Sequence, residues 1–210
     1  VLHSELAAKS HFWLQKNFYG INLSSLFEKA NDNVYQQVVV DAIPPNAIMT
    51  SPISYPIDFT KIDEEELHDI VIPLYYDQFE FPVVAHGLAA WFDVEFGSRG
   101  AAGGGGEEEA SKSPDGSSAA SAGKVLTLTT GPGAPTTHWF QIRCVLKETL
   151  KVLPGQRLEG ELRLQANARQ SYDIRANVQC FTETGITVGE ECAGRWDLKD
   201  PYYRQMNQPR

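Results

Sequence analysis

The run Pro135-Thr136-Thr137-His138-Trp139 sets an imidazole and an indole side by side, after the stiff connector Gly131-Pro132-Gly133-Ala134-Pro135 and at the mouth of an alternating apolar segment, residues 139–146. A rigid scaffold presents side chains to ligands at such a place. An imidazole can orient or share a proton with an acid, and an indole face attracts cations. Spacing alone favours a plain structural role for His138. His86 reads as a hydrogen-bonded strand residue beside Gly87, which permits close packing, and the acidic run Asp63-Glu64-Glu65-Glu66 as a solvated turn and helix start rather than a catalytic pair.

Other reaction chemistries are missing. Glycines 103–106 lead into glutamates 107–109, which repel phosphate, and no Gly-Lys-Ser/Thr follows them. No strand-GxGxxG-helix pattern, no Gly-x-Ser-x-Gly and no His-Glu-x-x-His occurs, so the chain is predicted to hold neither a cofactor site nor a metal. Three cysteines, Cys144, Cys180 and Cys192, have neither disulfide-framework nor zinc-finger spacing and fit a reducing intracellular compartment. With 18 Lys plus Arg against 27 Asp plus Glu the net charge is -9, the wrong sign for gripping nucleic acid and the right one for attracting a Lys/Arg-rich protein tail. No apolar run approaches the roughly 20 residues of a spanning helix, so no membrane is expected. A first residue of Val rather than Met predicts a piece of a longer or processed protein.

These side chains need elements to hold them. At 42% hydrophobic residues, 210 residues suffice for one core. Residues 97–124 contain 8 Gly, 6 Ala and 6 Ser and no large apolar side chain, which predicts a disordered, low-complexity insert. It interrupts a hairpin: Leu88, Ala90, Phe92, Val94 and Phe96 alternate before it, and Val125-Leu126-Thr127-Leu128-Thr129 extends after it. Period-two or β-rich runs recur at 69–76, 139–146, 157–166 and 171–181, with Pro154-Gly155 a turn between two of them. Seven or more short strands predict a mainly β fold, an antiparallel β-barrel or sandwich-like domain over residues 44–210. The first forty residues differ. Residues 4–16 favour helix, with Leu6, Trp13 and Leu14 as buried positions, within an N-terminal helical stretch 1–18. Ser25 and Glu28 form a capping box predicted to open a second helix through Gln36, inside an arm over 19–43. Its apolar residues Leu26, Phe27, Ala30 and Val34 either pack on the chain's own barrel or bury themselves on another subunit.

The blocks Val84-Ala85-His86-Gly87-Leu88-Ala89-Ala90-Trp91-Phe92-Asp93-Val94, Leu128-Thr129-Thr130 and Thr137-His138-Trp139-Phe140-Gln141-Ile142-Arg143-Cys144 resemble, in that order, the C-terminal β-barrel of the protein arginine methyltransferases. Ala168-Arg169-Gln170-Ser171-Tyr172-Asp173 and Trp196-Asp197-Leu198-Lys199-Asp200-Pro201-Tyr202-Tyr203-Arg204 are similar to the coactivator-associated, histone-directed branch, and the connector at 131–135 to its plant and green-lineage members. The similarity covers nearly the whole chain apart from the insert.

The resemblance implies the second part of a two-part type I enzyme. A preceding Rossmann-like domain would hold S-adenosylmethionine and a double-glutamate loop that grips the substrate guanidinium, and the barrel would close the other wall of the groove. On that footing His138 is implied as second-wall catalytic support, with Thr137, Trp139, Phe140 and Lys199 at the substrate. Phe140 stands where relatives usually have Tyr. Residues 19–43 are implied to be the dimerisation arm, with Leu23, Leu26, Phe27, Val34 and Tyr35 at a homodimer contact. The implied partners are histone H3 or other arginine-containing tails, with action in nucleus and cytoplasm. Without the cofactor domain and double-glutamate loop, this chain alone is expected to be inactive. Two other readings stand beside this one: a non-catalytic scaffold derived from the same enzyme, and an unrelated β-sandwich binding module.

Overall fold

The computed structural model describes residues 2–96 and 126–204, so the insert expected at 97–124 lies outside the described residues. The alternating runs become strands: β1 (Gln37–Asp41), β2 (Asp69–Tyr76), β3 (Val83–Ala90), β4 (Asp93–Phe96), β5 (Leu126–Thr129), β6 (Gln141–Val152), β7 (Arg157–Asn167), β8 (Ser171–Phe181) and β9 (Thr187–Tyr203). Seven of them form one sheet in the order β2-β7-β8-β9-β1-β6-β3, while β4 and β5 pair separately. The mainly β reading holds, with one correction: the sheet is mixed, because β1 and β9 run parallel. The cause is the length of β9, which pairs with β8 up to Asp197 and from Asp197 to Tyr203 lies along β1. No tight turn joins β9 to β1, so no local signal announces the pairing.

The core lies on the inward positions of these strands. Leu74, Leu146, Val152, Leu158, Ile174, Val178 and Trp196 are all buried in one cluster, as alternation requires. Trp196 is 1% exposed, and its indole N–H donates to the Val145 carbonyl at 3.1 Å. The expected hairpin around the insert is present as β4 and β5, in register from Asp93 opposite Thr129 to Phe96 opposite Leu126. Leu88 and Ala90, grouped with it by their alternation, belong instead to β3 and pair with Cys144 and Ile142 of β6. Between Gln37–Asp41 and β2 the acidic run opens a short helix, α3 (Glu64–His68), with the Asp63 N–H donating to Glu66 Oε2 at 3.0 Å.

The N-terminal helix α1 spans Leu2–His11 and tightens into a 3-10 turn at Phe12–Leu14. Leu6 is buried as expected, but Trp13 is only half-buried and Leu14 is exposed. The tighter turn takes both off the α-helical face that Leu2 and Leu6 share. The capping box expected at Ser25 does not form. Asn22 Oδ1 accepts from both the N–H (3.0 Å) and the hydroxyl (2.7 Å) of Ser24, which starts a 3-10 turn at Ser24–Leu26 and delays the helix α2 to Phe27–Tyr35.

Both ends of the described chain meet at β1. Arg204 donates to both carboxylate oxygens of Glu5 in α1, at 3.0 and 2.6 Å, and to Asp41 Oδ2 at 3.0 Å. Arg143 of β6 forms an ion pair with the same Asp41 oxygen at 3.0 Å. The hydrogen bonds from Arg204 hold the Glu5 carboxyl below its ordinary 4.5. A depressed folded value means the contribution is complete above the unfolded value and disappears as pH falls through the folded one. Glu5 is partly exposed, so the effect is screened and local. Lowering the pH from about 5 to about 3 should reduce the amide protection factors of α1, taken relative to the intrinsic exchange rate at each pH, more than those of β7 and β8; equal reductions would contradict a stabilising Arg204–Glu5 contact.

Candidate functional site

His138 and Trp139 occupy the middle of a turn that leads into β6, and both are exposed, Trp139 by 53%. The turn closes when the Phe140 N–H donates to the Thr137 carbonyl at 3.3 Å. Phe140 adopts φ +55°, a left-handed conformation unfavourable for an aromatic residue and met mostly where surrounding structure enforces it. This geometry directs two consecutive side chains outward. The imidazole and indole meet edge to face with centroids 5.7 Å apart, and the indole meets the ring of Phe92 in the same manner at 5.6 Å.

The connector before the turn is fixed at its start. The Thr130 hydroxyl donates to the Phe92 carbonyl at 2.8 Å and accepts from the Phe92 N–H at 3.2 Å. Gly131 lies against the Trp91 indole so closely that a Cβ would sit 2.8 Å from its Nε1, which is why glycine is needed there. Among the described residues His138 makes no hydrogen bond or ion pair, leaving its ring nitrogens available to an external acid. Thr137 is half-buried, with its hydroxyl oxygen enclosed and without a partner.

The expected site residues therefore separate into groups. Thr137, His138, Trp139 and Phe140 share one turn. Lys199 does not join them: it is exposed on β9 at the Gln37 end of β1, whereas the turn adjoins the Asp41 end. Phe92 is the member that sequence reasoning missed. Its place among the alternating residues before the insert marked it as apolar but gave no sign that it meets Trp139.

The arm residues divide too. Tyr35 is buried with Leu2, Leu6, Val39 and Val145, and Val34 packs against that cluster, so these two anchor the arm to its own sheet. Leu23 and Phe27 are half-buried and Leu26 is exposed. The most exposed large apolar side chain among the described residues, Tyr19 (92%), lies just before them, with Ile21 (63%) beside it and Phe12 and Leu14 nearby in sequence. Phe18 and Ile21 exchange backbone hydrogen bonds at 2.8 and 3.0 Å across a tight turn, and Asn17 Oδ1 accepts the Gly20 N–H at 2.8 Å. The Asn17-Phe18-Tyr19-Gly20 run was a legible turn signal for this tip.

The described residues do not fit S-adenosylmethionine. The one parallel pair, β1 and β9, is not a strand-turn-helix crossover with a glycine-rich phosphate-type cradle. No group of three His, Cys, Asp or Glu side chains is placed to hold a metal ion among the described residues. All three cysteines are free; burial pushes the Cys144 thiol up to about 12, which makes it unreactive. No helix among the described residues is long and apolar enough to cross a membrane.

Comparison with known proteins adds four findings. Residues 1–115 match the arginine methyltransferase oligomerization subdomain. The chain is 39% identical over 214 residues to the probable histone-arginine methyltransferase 1.3 of Arabidopsis thaliana, covering 99% of this chain and 35% of that relative, so it spans about a third of the relative's length. Its fold is similar to that of protein arginine methyltransferase 10 of Arabidopsis thaliana, with TM-score 0.66, 16% identity, and coverage of 91% of this chain and 54% of the other. It is also similar to a chain of a Trypanosoma brucei PRMT1 enzyme-prozyme heterotetramer with AdoHcy, with TM-score 0.57, 20% identity, and coverage of 91% and 52%. The reading as an unrelated β-sandwich binding module is overturned by the subdomain match.

Proposed function

Because the chain belongs to the arginine methyltransferase family, whose oligomerization subdomain it carries, we propose that it forms the substrate-groove wall and dimerisation part of a type I protein arginine methyltransferase. The enzyme would transfer methyl groups to arginines of protein tails such as histone H3, in nucleus and cytoplasm. The named function of the Arabidopsis relative supports the substrate class. The observation that carries the reading is the outward pair His138-Trp139 on a braced turn, next to the exposed ring of Phe92.

A guanidinium is a poor nucleophile because its lone pairs are delocalised and its charge persists above pH 12. Catalysis of its methylation consists of orienting one nitrogen and fixing the cation with carboxylates. This chain would contribute an indole surface for the cation and its alkyl stem at Trp139, and an imidazole at His138 that hydrogen-bonds an acid supplied by another part of the enzyme. Lys199, far along β1, would meet only a more distant part of a bound tail. S-adenosylmethionine would supply the methyl group from that other part. The chain by itself should therefore transfer no label from S-adenosylmethionine to histone.

The apolar tip at Tyr19 and Ile21, with Leu23, Leu26 and Phe27 behind it, would bury itself on a second copy of the enzyme to make a homodimer. The heterotetrameric assembly of the similar trypanosome protein and the match to an oligomerization subdomain both favour association.

His138→Ala tests the groove reading in a longer methyltransferase that contains this chain. Turnover should fall at least about tenfold with little change in melting temperature, because the side chain is exposed and makes no hydrogen bond or ion pair among the described residues. Parallel losses of turnover and stability, or unchanged turnover, would return His138 to a structural role.

A further inference from the structure

We infer that Gln141 is a positioning residue that holds the His138-Trp139 turn in place, an inference that rests on the groove reading above. Gln141 is the first residue of β6, polar and only 5% exposed. A buried amide at a strand position calls for an explanation, since an apolar side chain would fill the place without needing partners. Its partners supply one. Gln141 Nε2 donates to the Thr130 carbonyl at 2.5 Å, and Gln141 Oε1 accepts from the Ile43 N–H at 2.7 Å.

Those two bonds fall where the loop needs them. Thr130 is the residue at which the chain leaves β5, and Gln141 the residue at which it enters β6, so the amide closes a ring around the whole connector bearing His138 and Trp139. Ile43 lies just beyond β1, and its N–H ties the same point to the exit of a third strand. Within the connector the backbone bonds are long, 3.4 Å from the Ala134 N–H to the Gly131 carbonyl and 3.3 Å from the Phe140 N–H to the Thr137 carbonyl. The loop cannot fix itself with these, so its base must.

The base also reaches the site through side chains. Thr130, held by Gln141, grips the Phe92 backbone through its hydroxyl in both directions, and the Phe92 ring meets that of Trp139. A continuous path thus runs from Ile43 through Gln141, Thr130 and Phe92 to Trp139. Asp41 and Arg143 flank Gln141 in β1 and β6, but Asp41 pairs with both Arg143 and Arg204 rather than with the amide. Gln141 touches no reacting group; it sets where the wall stands.

Two variants in a longer methyltransferase containing this chain test the inference. Gln141→Met keeps the length and removes both bonds; kcat per folded molecule should fall between about 10- and 100-fold, as a displacement of the order of 1 Å can cause, with KM for S-adenosylmethionine unchanged. Gln141→Glu keeps an acceptor for Ile43 but turns a carboxylate towards the Thr130 carbonyl. Its kcat relative to the native enzyme should be low at neutral pH and rise as acid protonates the new carboxyl, which can then donate to Thr130 as the amide does. If kcat per folded molecule is unchanged in Gln141→Met while His138→Ala lowers it, the positioning role is wrong and the groove reading stands. If His138→Ala leaves kcat intact, both are wrong. Should Gln141→Met fail to fold, the acid profile of Gln141→Glu decides: recovery supports the role, and a flat ratio overturns it.

Discussion

Trp196→Ala is expected to cost about 3–5 kcal/mol of folding stability, the usual range for removing a fully buried large aromatic side chain. The site offers no relief from that range. The indole is 1% exposed and belongs to the cluster containing Ile174, Val178 and Leu146, so its removal leaves a hole bounded by several strands. It also deprives the Val145 carbonyl of its 3.1 Å partner in a buried place. Since a whole domain is stable by only about 5–15 kcal/mol, the variant should be partly unfolded near body temperature. Trp196→Phe separates the two contributions: it keeps most of the ring, loses the N–H, and should cost about 1–3 kcal/mol. Urea unfolding curves measure both, and a loss below about 1 kcal/mol for the alanine variant would contradict the packing described.

Asp41→Ala should be nearly as damaging, at about 3 kcal/mol, the lower end of the range for breaking a buried ion pair. The Asp41 side chain is 3% exposed, and one of its oxygens serves both Arg143 and Arg204. Without it Arg143 becomes an uncompensated cation whose Nε is already buried without a partner, and burial is the first cause holding its pKa down. The two arginines are not sealed off completely, at 19% and 29% side-chain exposure, which favours the lower figure. A double replacement, Asp41→Leu with Arg143→Met, should recover much of the loss because no bare charge then remains. If the single and double variants are equally unstable, the ion pair is not the source of the damage.

What could be read from the sequence was local. Alternation at 157–166 and 171–181 gave β7 and β8, and the Pro154-Gly155 dipeptide marked the turn where Gly155 takes φ +78° and the Gln156 N–H meets the Leu153 carbonyl. The hairpin around the insert followed from matched flanks. Competing local chemistry misled at Ser25, where Asn22 captured the preceding serine and moved the helix start. Long-range partners left no trace: the β1–β9 pairing and the Arg204–Asp41 bond join residues 163 apart in the chain. The turn bearing His138 was legible from the stiff connector before it. The left-handed Phe140, the Phe92 ring beside Trp139 and the bracing amide of Gln141 were not, because each depends on strands that meet only in the folded sheet.

The position of β9 between β8 and β1 has a consequence for the nascent chain on the ribosome. The strand completed last among those described is a central one, so β1, β6 and β3 wait as one partial sheet and β2, β7 and β8 as another until residues near 203 have left the exit tunnel. Each waiting piece presents an unsatisfied ladder edge, and such edges attract chaperones or neighbouring chains during synthesis.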